Sequence, residues 1–150
     1  MFNEFYDLKV HQAMTKDIIA ADTSNKISQV ATVFAEKNFH HIPVLENGTL
    51  VGIISVKDVL KKIMQWTVAN NMNTDFRKLD AETSLKSVMT PNPVTISPEA
   101  TLEEAKKILA KSNFQALPVV LDGKIVGILT TKDFVRLKVI KIEGSDYNPI

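Results

Sequence analysis

The sequence repeats itself at a fixed interval of 75 residues, and this repeat limits the choice of folds more than any other feature. No gap is needed to align the two copies between Met14 and Asp58. A fixed period indicates one supersecondary unit that is used twice. The matched segments are Met14-Thr15 with Met89-Thr90, Asn38-Phe39 with Asn113-Phe114, Pro43-Val44 with Pro118-Val119, Gly48 with Gly123, Val51-Gly52-Ile53 with Val126-Gly127-Ile128, and Lys57-Asp58 with Lys132-Asp133.

The length and the charge are those of a small globular chain without a strong electrostatic partner. A half of about 60 residues buries its core only marginally alone, so we expect the two halves to stack and share one core. The net charge of +1 gives no broad attraction to nucleic acid, and nucleic-acid binding is therefore not favoured. The absence of cysteine excludes disulfides and thiolate metal sites.

No part of the sequence predicts a membrane span or an export signal. No apolar run approaches the ~18 residues that a transmembrane helix needs. The first seven residues mix acidic and aromatic side chains, which is not the basic and then apolar pattern of a signal peptide. We therefore expect no membrane partner and a cytoplasmic location.

Each copy predicts the order strand, helix, strand, strand, helix. The helix has apolar residues at helical spacing, and the two central strands flank an Asn-Gly or Asp-Gly turn. In the first copy the segments are the strand 18–20, the helix stripe Ile27, Val30, Val33 and Phe34, the strands 42–45 and 50–54, and a helix from Ser55. In the second they are the strand 94–96, a helix opened by the capping box Thr101–Glu104, the strands 117–121 and 125–129, and a helix from Thr130 through Leu137. These predict repeats at residues 10–66 and 85–140, with the polar segment 67–84 as a linker.

A few local features stay open at the level of sequence. The first copy has lysine in place of the capping threonine, so Ser24 or Asn25 is expected to cap its helix. Gly52 and Gly127 interrupt strands, where glycine marks a bulge or the close approach of a ligand. Trp66 fits a dimer contact and a core anchor equally well.

The motif that recurs most fully is a Pro-Val pair, a turn with glycine, and then Gly-x-x-Ser/Thr-x-x-Asp. It occurs as Ile42-Pro43-Val44 with 52–58, and again as Leu117-Pro118-Val119 with 127–133. This signature resembles the CBS domain, the cystathionine β-synthase repeat, arranged as a tandem pair (a Bateman module) over residues 10–140. One copy is a weak signal, but two copies in the same register make the match specific.

The resemblance implies both a fold and a function. The fold is an α/β tandem CBS-domain pair in which each repeat has the order β-α-β-β-α, the repeats are related by a pseudo-two-fold axis, and their paired strands form one shared sheet surface. The implied function is regulatory: clefts between the repeats bind AMP, ADP, ATP or S-adenosylmethionine, with no required cofactor. It also implies a homodimer that acts on an effector protein. The chain resembles a free-standing pair with no attached enzyme.

The Ser/Thr-x-x-Asp motif suits a ribose and its phosphate. Residues three apart at a helix start lie on one face. The side chains of Ser55 and Asp58 therefore project in the same direction, as do those of Thr130 and Asp133. A carboxylate can accept both hydroxyls of a ribose diol, while the neighbouring hydroxyl and the free N–H groups of the helix suit a phosphate. The same spacing is also nearly a capping box, in which the acid only folds back onto the cap N–H. Both interpretations are open.

The two candidate sites differ in their neighbours. The resemblance implies that residues before the Pro-Val pair meet phosphates, and that the Asp of one repeat works with the short first strand of the other. The first site then joins Ser55, Asp58, His40 and His41 with Val94 and Thr95, and the second joins Thr130 and Asp133 with Ile19 and Ala20. Gln115-Ala116 replaces the histidines in the second copy, so we predict that the first site tolerates more phosphate charge.

Other functions have less support in the sequence. Adjacent residues of a strand point to opposite faces, so His40 and His41 cannot chelate one ion together, and we predict no metal site. The sequence shows no activated nucleophile and no phosphate-cradling glycine loop, so it does not predict an enzyme. The main alternative to a ligand sensor is a ligand-free dimerisation module whose Ser/Thr-x-x-Asp motifs are only helix caps.

Overall fold

The computed structural model describes residues 7–111 and 115–134. Contacts divide the chain into two compact units: a continuous unit, residues 19–93, and a split unit, residues 1–18 together with 94–150. The predicted helix end at Leu137 lies outside the described residues. In chain order the elements are α1 (Val10–Ala13), β1 (Ala21–Asp22), α2 (Ile27–Glu36), β2 (His41–Glu46), β3 (Thr49–Ser55), α3 (Val56–Ala69), α4 (Phe76–Glu82), a 3₁₀ helix (Leu85–Ser87), β4 (Thr90–Pro91), α5 (Leu102–Lys111), β5 (Ala116–Leu121) and β6 (Lys124–Thr130). Residues 131–134 begin a further helix.

Each unit has its own sheet. In the continuous unit the strand order is β1-β2-β3-β4, with β1 parallel to β2 and the other neighbours antiparallel. In the split unit β5 and β6 pair antiparallel, and the bridges Thr15–Ile128 and Ile96–Val119 extend this pair on both sides. The α/β order predicted for the repeats is confirmed. The described strands form two hydrogen-bonded sheets, one in each unit, and the shared sheet surface stays a prediction.

The short first strands lie later in the chain than predicted. Residues 18–20 have no regular structure, and β1 begins at Ala21, which pairs with Val44. In the split unit only Ile96 pairs, through its bridge to Val119. One or two paired residues carry too little alternation of apolar and polar positions to fix a strand boundary from sequence.

Both central hairpins close on the predicted turns. The φ angles are 52° at Asn47 and 79° at Gly48, and 50° at Asp122 and 78° at Gly123. Two successive positive φ values define the type I′ turn, whose twist matches that of the flanking strands. The Asn-Gly and Asp-Gly pairs therefore fix the register of β2 with β3 and of β5 with β6.

The strand glycines allow another segment of the chain to cross each hairpin closely. A Cβ on Gly52 would collide with the Met89 side chain and lie 3.0 Å from the carbonyl oxygen of Thr90. Gly127 stands in the same relation to residues 14–15. Each hairpin is thus covered by the segment that precedes the other repeat. The space left by each glycine holds protein, so the suggestion of a ligand at these two positions is wrong.

This exchange of segments gives each unit a separate buried core. The split unit takes Val10 and Ala13 from α1 into the cluster that contains Leu102 and Leu117. The buried residues of the described chain form two such clusters, one in each unit, and the single shared core stays a prediction. The cluster of the continuous unit consists of Ala21, Ile27, Val30, Phe34, Ile42, Val44, Ile54, Val59, Trp66, Leu79 and Leu85.

The start of α2 differs from the prediction. Lys26 is the N-cap residue, and its N–H donates to Oε1 of Gln29 at 2.8 Å. Oδ1 of Asn25 accepts from the N–H of Asp22 at 2.7 Å, so Asn25 closes the preceding turn. The expected cap at Ser24 or Asn25 is therefore wrong, because the helix begins after both. The capping box predicted at the start of α5 is confirmed, with both bonds at 3.2 Å.

The polar segment 67–84 contributes to the continuous unit. It contains the end of α3 and the whole of α4, and Leu79 of α4 is fully buried. Trp66 is a core residue, and its indole N–H donates to Oε2 of Glu82 at 2.8 Å. The tryptophan thus anchors the helix that follows it, which decides between its two interpretations.

Candidate functional site

The first candidate acid, Asp58, lies in the opening turn of α3. Ser55 ends β3 and is the N-cap: the Asp58 N–H donates to its Oγ at 3.0 Å, and the Ser55 N–H donates to Asp58 Oδ2 at 3.0 Å. The capping box is therefore real. It uses one carboxylate oxygen, and Oδ1 of the half-buried Asp58 accepts no hydrogen bond from the described residues. The serine hydroxyl also retains its own proton to donate.

Both histidines lie beside this capping box. The carbonyl oxygen of His40 accepts from the N–H of Val56 at 3.0 Å, and His41 is the cross-strand partner of Ser55. His40 is exposed, whereas His41 is half-buried. Burial, and after it the neighbouring His40, lowers the pKa of His41 below 6.5, while Asp58 acts in the opposite direction. His41 is therefore neutral near pH 7 and has a carboxylate within its electrostatic reach.

The second candidate acid, Asp133, is almost fully buried, with 3% of its surface exposed. Its Oδ2 accepts from the Thr130 N–H at 2.8 Å and lies 3.5 Å from the Thr130 hydroxyl. Its Oδ1 accepts from the hydroxyl of Thr15 at 3.3 Å. Both oxygens of this carboxylate are thus engaged by the protein.

The residues proposed for the adenine ring are exposed in both units. Ile19 exposes 37% of its surface and Val94 41%, and these two residues are 75 positions apart. Ala20 and Thr95 are also exposed. Large apolar side chains at equivalent exposed positions are available to a flat apolar ligand group.

The structure brings together some of the predicted site residues and leaves others in different units. The continuous unit holds Ser55 and Asp58 together with His40 and His41, and the split unit holds Thr130 and Asp133 together. Val94 and Thr95 belong to the split unit, and Ile19 and Ala20 to the continuous unit. Each predicted site therefore has members in both units, and its assembly stays a prediction.

The described residues contain neither a metal cluster nor a membrane span. Across 7–111 and 115–134, no three or more His, Asp or Glu side chains are grouped so that they could hold an ion. No helix in this part of the chain is both long and apolar enough to cross a bilayer.

Comparison with known families explains the repeated motif. The family model of the CBS domain matches residues 9–65 and 85–139. The chain belongs to the CBS-domain family. It spans less than half the length of several curated relatives, one of which is an uncharacterised protein of Methanocaldococcus jannaschii. That relative is 28% identical over 137 residues, which cover 89% of this chain and 45% of its own length.

Solved CBS pairs share the architecture of this chain. The crystal structure of CBSX2, a protein from Arabidopsis thaliana, in complex with AMP is 29% identical with a TM-score of 0.71, and the match covers 90% of this chain and 98% of that one. The CBS pair of protein MJ0100 in complex with 5′-methylthioadenosine and S-adenosyl-L-methionine is 27% identical with a TM-score of 0.72, covering 89% and 98% of the two chains.

Sequence reasoning missed one residue of this CBS pair. Thr15 precedes the first repeat's short strand, yet its hydroxyl reaches Asp133 at 3.3 Å. The signal was present, because Met14-Thr15 and Met89-Thr90 are matched in the two copies. From sequence alone the match is evidence for the repeat and assigns no contact to Thr15.

Proposed function

We propose that this CBS pair is a regulatory module that binds an adenosine nucleotide, with Asp58 as the principal ribose-binding carboxylate. The observation that carries the proposal is Oδ1 of Asp58, which accepts no hydrogen bond from the described residues and lies in a capping box whose serine pairs with His41 across the sheet. A cap needs only one carboxylate oxygen, so the same acid can hold the helix start and accept ribose hydroxyls.

The neighbours of Asp58 suit a phosphate. Ser55 can donate its hydroxyl proton, and the opening N–H groups of the 14-residue helix α3 present a partial positive charge. His41 is half-buried and neutral when the site has no ligand. A nearby phosphate would favour its protonated form, so that the histidine becomes a charged donor on binding.

The ligands of solved relatives support the adenosine class. CBSX2 was crystallised with AMP, and MJ0100 with 5′-methylthioadenosine and S-adenosyl-L-methionine. All three molecules contain adenosine and differ at the 5′ position. We propose AMP, ADP or ATP for this chain because its histidines offer phosphate contacts at the Asp58 site. The exposed Val94 is the proposed apolar contact of an adenine at the Asp58 site, and the exposed Ile19 is the proposed contact of one at the Asp133 site.

Isothermal titration calorimetry tests this proposal. The wild-type protein is titrated with AMP, ADP, ATP and S-adenosylmethionine, and Asp58→Ala with the tightest of the four. We expect a nucleotide to bind with an affinity that the substitution reduces strongly. Asp58→Asn is the matched variant, because it retains an acceptor for the Ser55 N–H while losing the charge. Absence of binding by a wild-type protein that unfolds cooperatively would leave the motifs as helix caps and refute the sensor.

A second candidate function is dimerisation through α3. Leu60, Met64 and Val68 recur every four residues along this helix and expose 55%, 66% and 64% of their surfaces. Such a stripe of apolar residues at helical spacing is typical of a helix face that packs against another helix. We propose a second copy of this chain as its partner. Sedimentation of wild type and Met64→Glu is the test: a dimer that becomes monomeric supports it, and a monomeric wild type refutes it.

A further inference from the structure

Two of the five methionines of the chain occupy equivalent places in the two units. Met14 and Met89 are 75 residues apart, and each side chain lies against a strand glycine, where a Cβ on that glycine would otherwise be. The partner of Met14 is Gly127, and that of Met89 is Gly52. Both methionines are half-buried and pack against the core of their own unit. Each sulfur is therefore part of the contact that holds a crossing segment, residues 14–15 or 89–90, on its hairpin.

Backbone hydrogen bonds complete the attachment of these crossing segments. Thr15 exchanges two with Ile128, at 2.9 and 3.0 Å. In the other unit Thr90 pairs with Ile53, and the N–H of Asn92 donates to the carbonyl oxygen of Val51 at 3.0 Å. These ladders are short, so the packing of the methionine on the glycine is a large part of what fixes each segment.

We propose that Met14 and Met89 are modification sites for peroxides, at which formation of the sulfoxide releases the crossing segment from its hairpin. In this reaction the thioether sulfur attacks one peroxide oxygen, an S–O bond forms and the O–O bond breaks. The sulfur is oxidised by two electrons, and with hydrogen peroxide the second oxygen leaves as water. Because both side chains are half-buried, a molecule as small as hydrogen peroxide is the oxidant that suits them.

The surroundings of the two sulfurs give their oxidation a structural effect. A sulfoxide is polar, whereas the thioether that it replaces is apolar. Against a strand glycine and a core, its oxygen lacks a donor, which is unfavourable for a buried acceptor. The oxidised side chain therefore turns to solvent and its packing is lost. Met64 and Met72 expose 66% and 73% of their surfaces, so a sulfoxide at either position is hydrated without any rearrangement.

Oxidation of Met14 also affects the surroundings of one candidate acid. Thr15 follows Met14 directly, and its hydroxyl donates to Asp133 Oδ1 at 3.3 Å. Release of the segment moves this donor away from Asp133. Among the described residues, no bond of this kind joins Thr90 to Asp58. A sulfoxide at Met14 thus changes the hydrogen bonding of one of the two acids.

Peroxide treatment followed by peptide mass spectrometry and thermal unfolding tests the proposal. In the double variant Met64→Leu/Met72→Leu, we expect one oxygen on each of Met14 and Met89 and a melting temperature lower by about 3 °C per sulfoxide. The matched control is Met14→Leu/Met89→Leu, which keeps the two exposed methionines and should retain its melting temperature when they are oxidised. Norleucine in place of every methionine, which keeps the linear shape without the sulfur, replaces this control if the leucine variant does not fold.

Hydrogen exchange of two amides measures the release itself. The N–H groups of Thr15 and Asn92 donate to Ile128 and Val51, and both should exchange faster after oxidation. Conversion of Met14 and Met89 to sulfoxides with unchanged exchange and melting temperature would overturn the proposal. It would also be overturned if both sulfurs stayed reduced until the protein unfolds, or if the control lost as much stability as the double variant.

Discussion

The two Ser/Thr-x-x-Asp motifs have the same spacing and share their lysine and aspartate, but they differ in what surrounds them. Asp58 is half-buried, keeps one oxygen unused and has two histidines beside it. Asp133 is 3% exposed, has both oxygens engaged and has Gln115 and Ala116 in place of the histidines. The motif specifies a helix cap in both units. The hydrogen bonds and the burial of the two acids depend on residues outside the motif.

The largest expected effect is on nucleotide affinity at the two acids. Asp58→Ala should weaken AMP binding about 100-fold, or about 2.8 kcal/mol, because two hydrogen bonds from ribose to a charged acceptor are lost. Asp133→Ala should change the affinity of the tighter site by less than about threefold, since Asp133 belongs to the other unit. Calorimetric titration of both variants measures the difference. Equal losses in the two variants would contradict the role of Asp58 as the principal ribose-binding carboxylate.

Substitution of Asp133 should have the larger effect when stability is measured in place of affinity. Asp133→Ala removes a buried carboxylate and leaves the hydroxyl of Thr15 and the N–H of Thr130 without their acceptor. We expect a loss of about 2–3 kcal/mol in the free energy of unfolding. Asp58→Ala removes a half-buried helix-start acid and should cost about 1 kcal/mol. Urea denaturation measures both values, and Asp133→Asn serves as the isosteric control. A larger loss for Asp58→Ala would show that the burial of Asp133 has been misassigned.

The strand glycines are expected to behave alike in the two units, in contrast to the acids. A methyl group on Gly52 or Gly127 would meet a methionine side chain, which can move, and a carbonyl oxygen at 3.0 Å, which cannot move without disturbing the sheet. Each Gly→Ala change should therefore cost about 1 kcal/mol. Denaturation of the two single variants is the test. Met89→Ala should relieve part of the cost for Gly52→Ala and none for Gly127→Ala, and equal relief of both would refute these contacts.

Much of this molecule can be predicted from the sequence, and the exceptions have physical causes. The hairpins are predictable because Asn47-Gly48 and Asp122-Gly123 specify their turns locally. The α5 cap is predictable for the same reason. The exchange of residues 14–15 and 89–90 between the repeats is not predictable, because it depends on contacts between segments that are distant in sequence. The bond from Thr15 to Asp133 spans 118 positions and leaves no local pattern.

The smallest expected effect is a pH dependence that belongs to the Asp58 site alone. Burial, more than His40, lowers the pKa of His41, and this depression means that the unfolded chain binds the proton more tightly than the folded one. His41 therefore does not lower the free energy of unfolding above pH 6.5. Below pH 6.5 that free energy decreases as the pH falls, because the unfolded chain takes up the proton more readily.

Nucleotide binding should depend on pH in the opposite sense. A bound phosphate raises the pKa of His41, so affinity for AMP increases as the pH falls through the range between the bound and the free pKa. We expect a gain of about threefold between pH 7.5 and 6.5, measured relative to His41→Gln, which corrects for the titration of the phosphate itself. The same comparison in the Asp58→Ala background should show no gain, because Ala116 occupies the position equivalent to His41 in the other repeat. Identical pH profiles for wild type and His41→Gln would remove the histidine from the site.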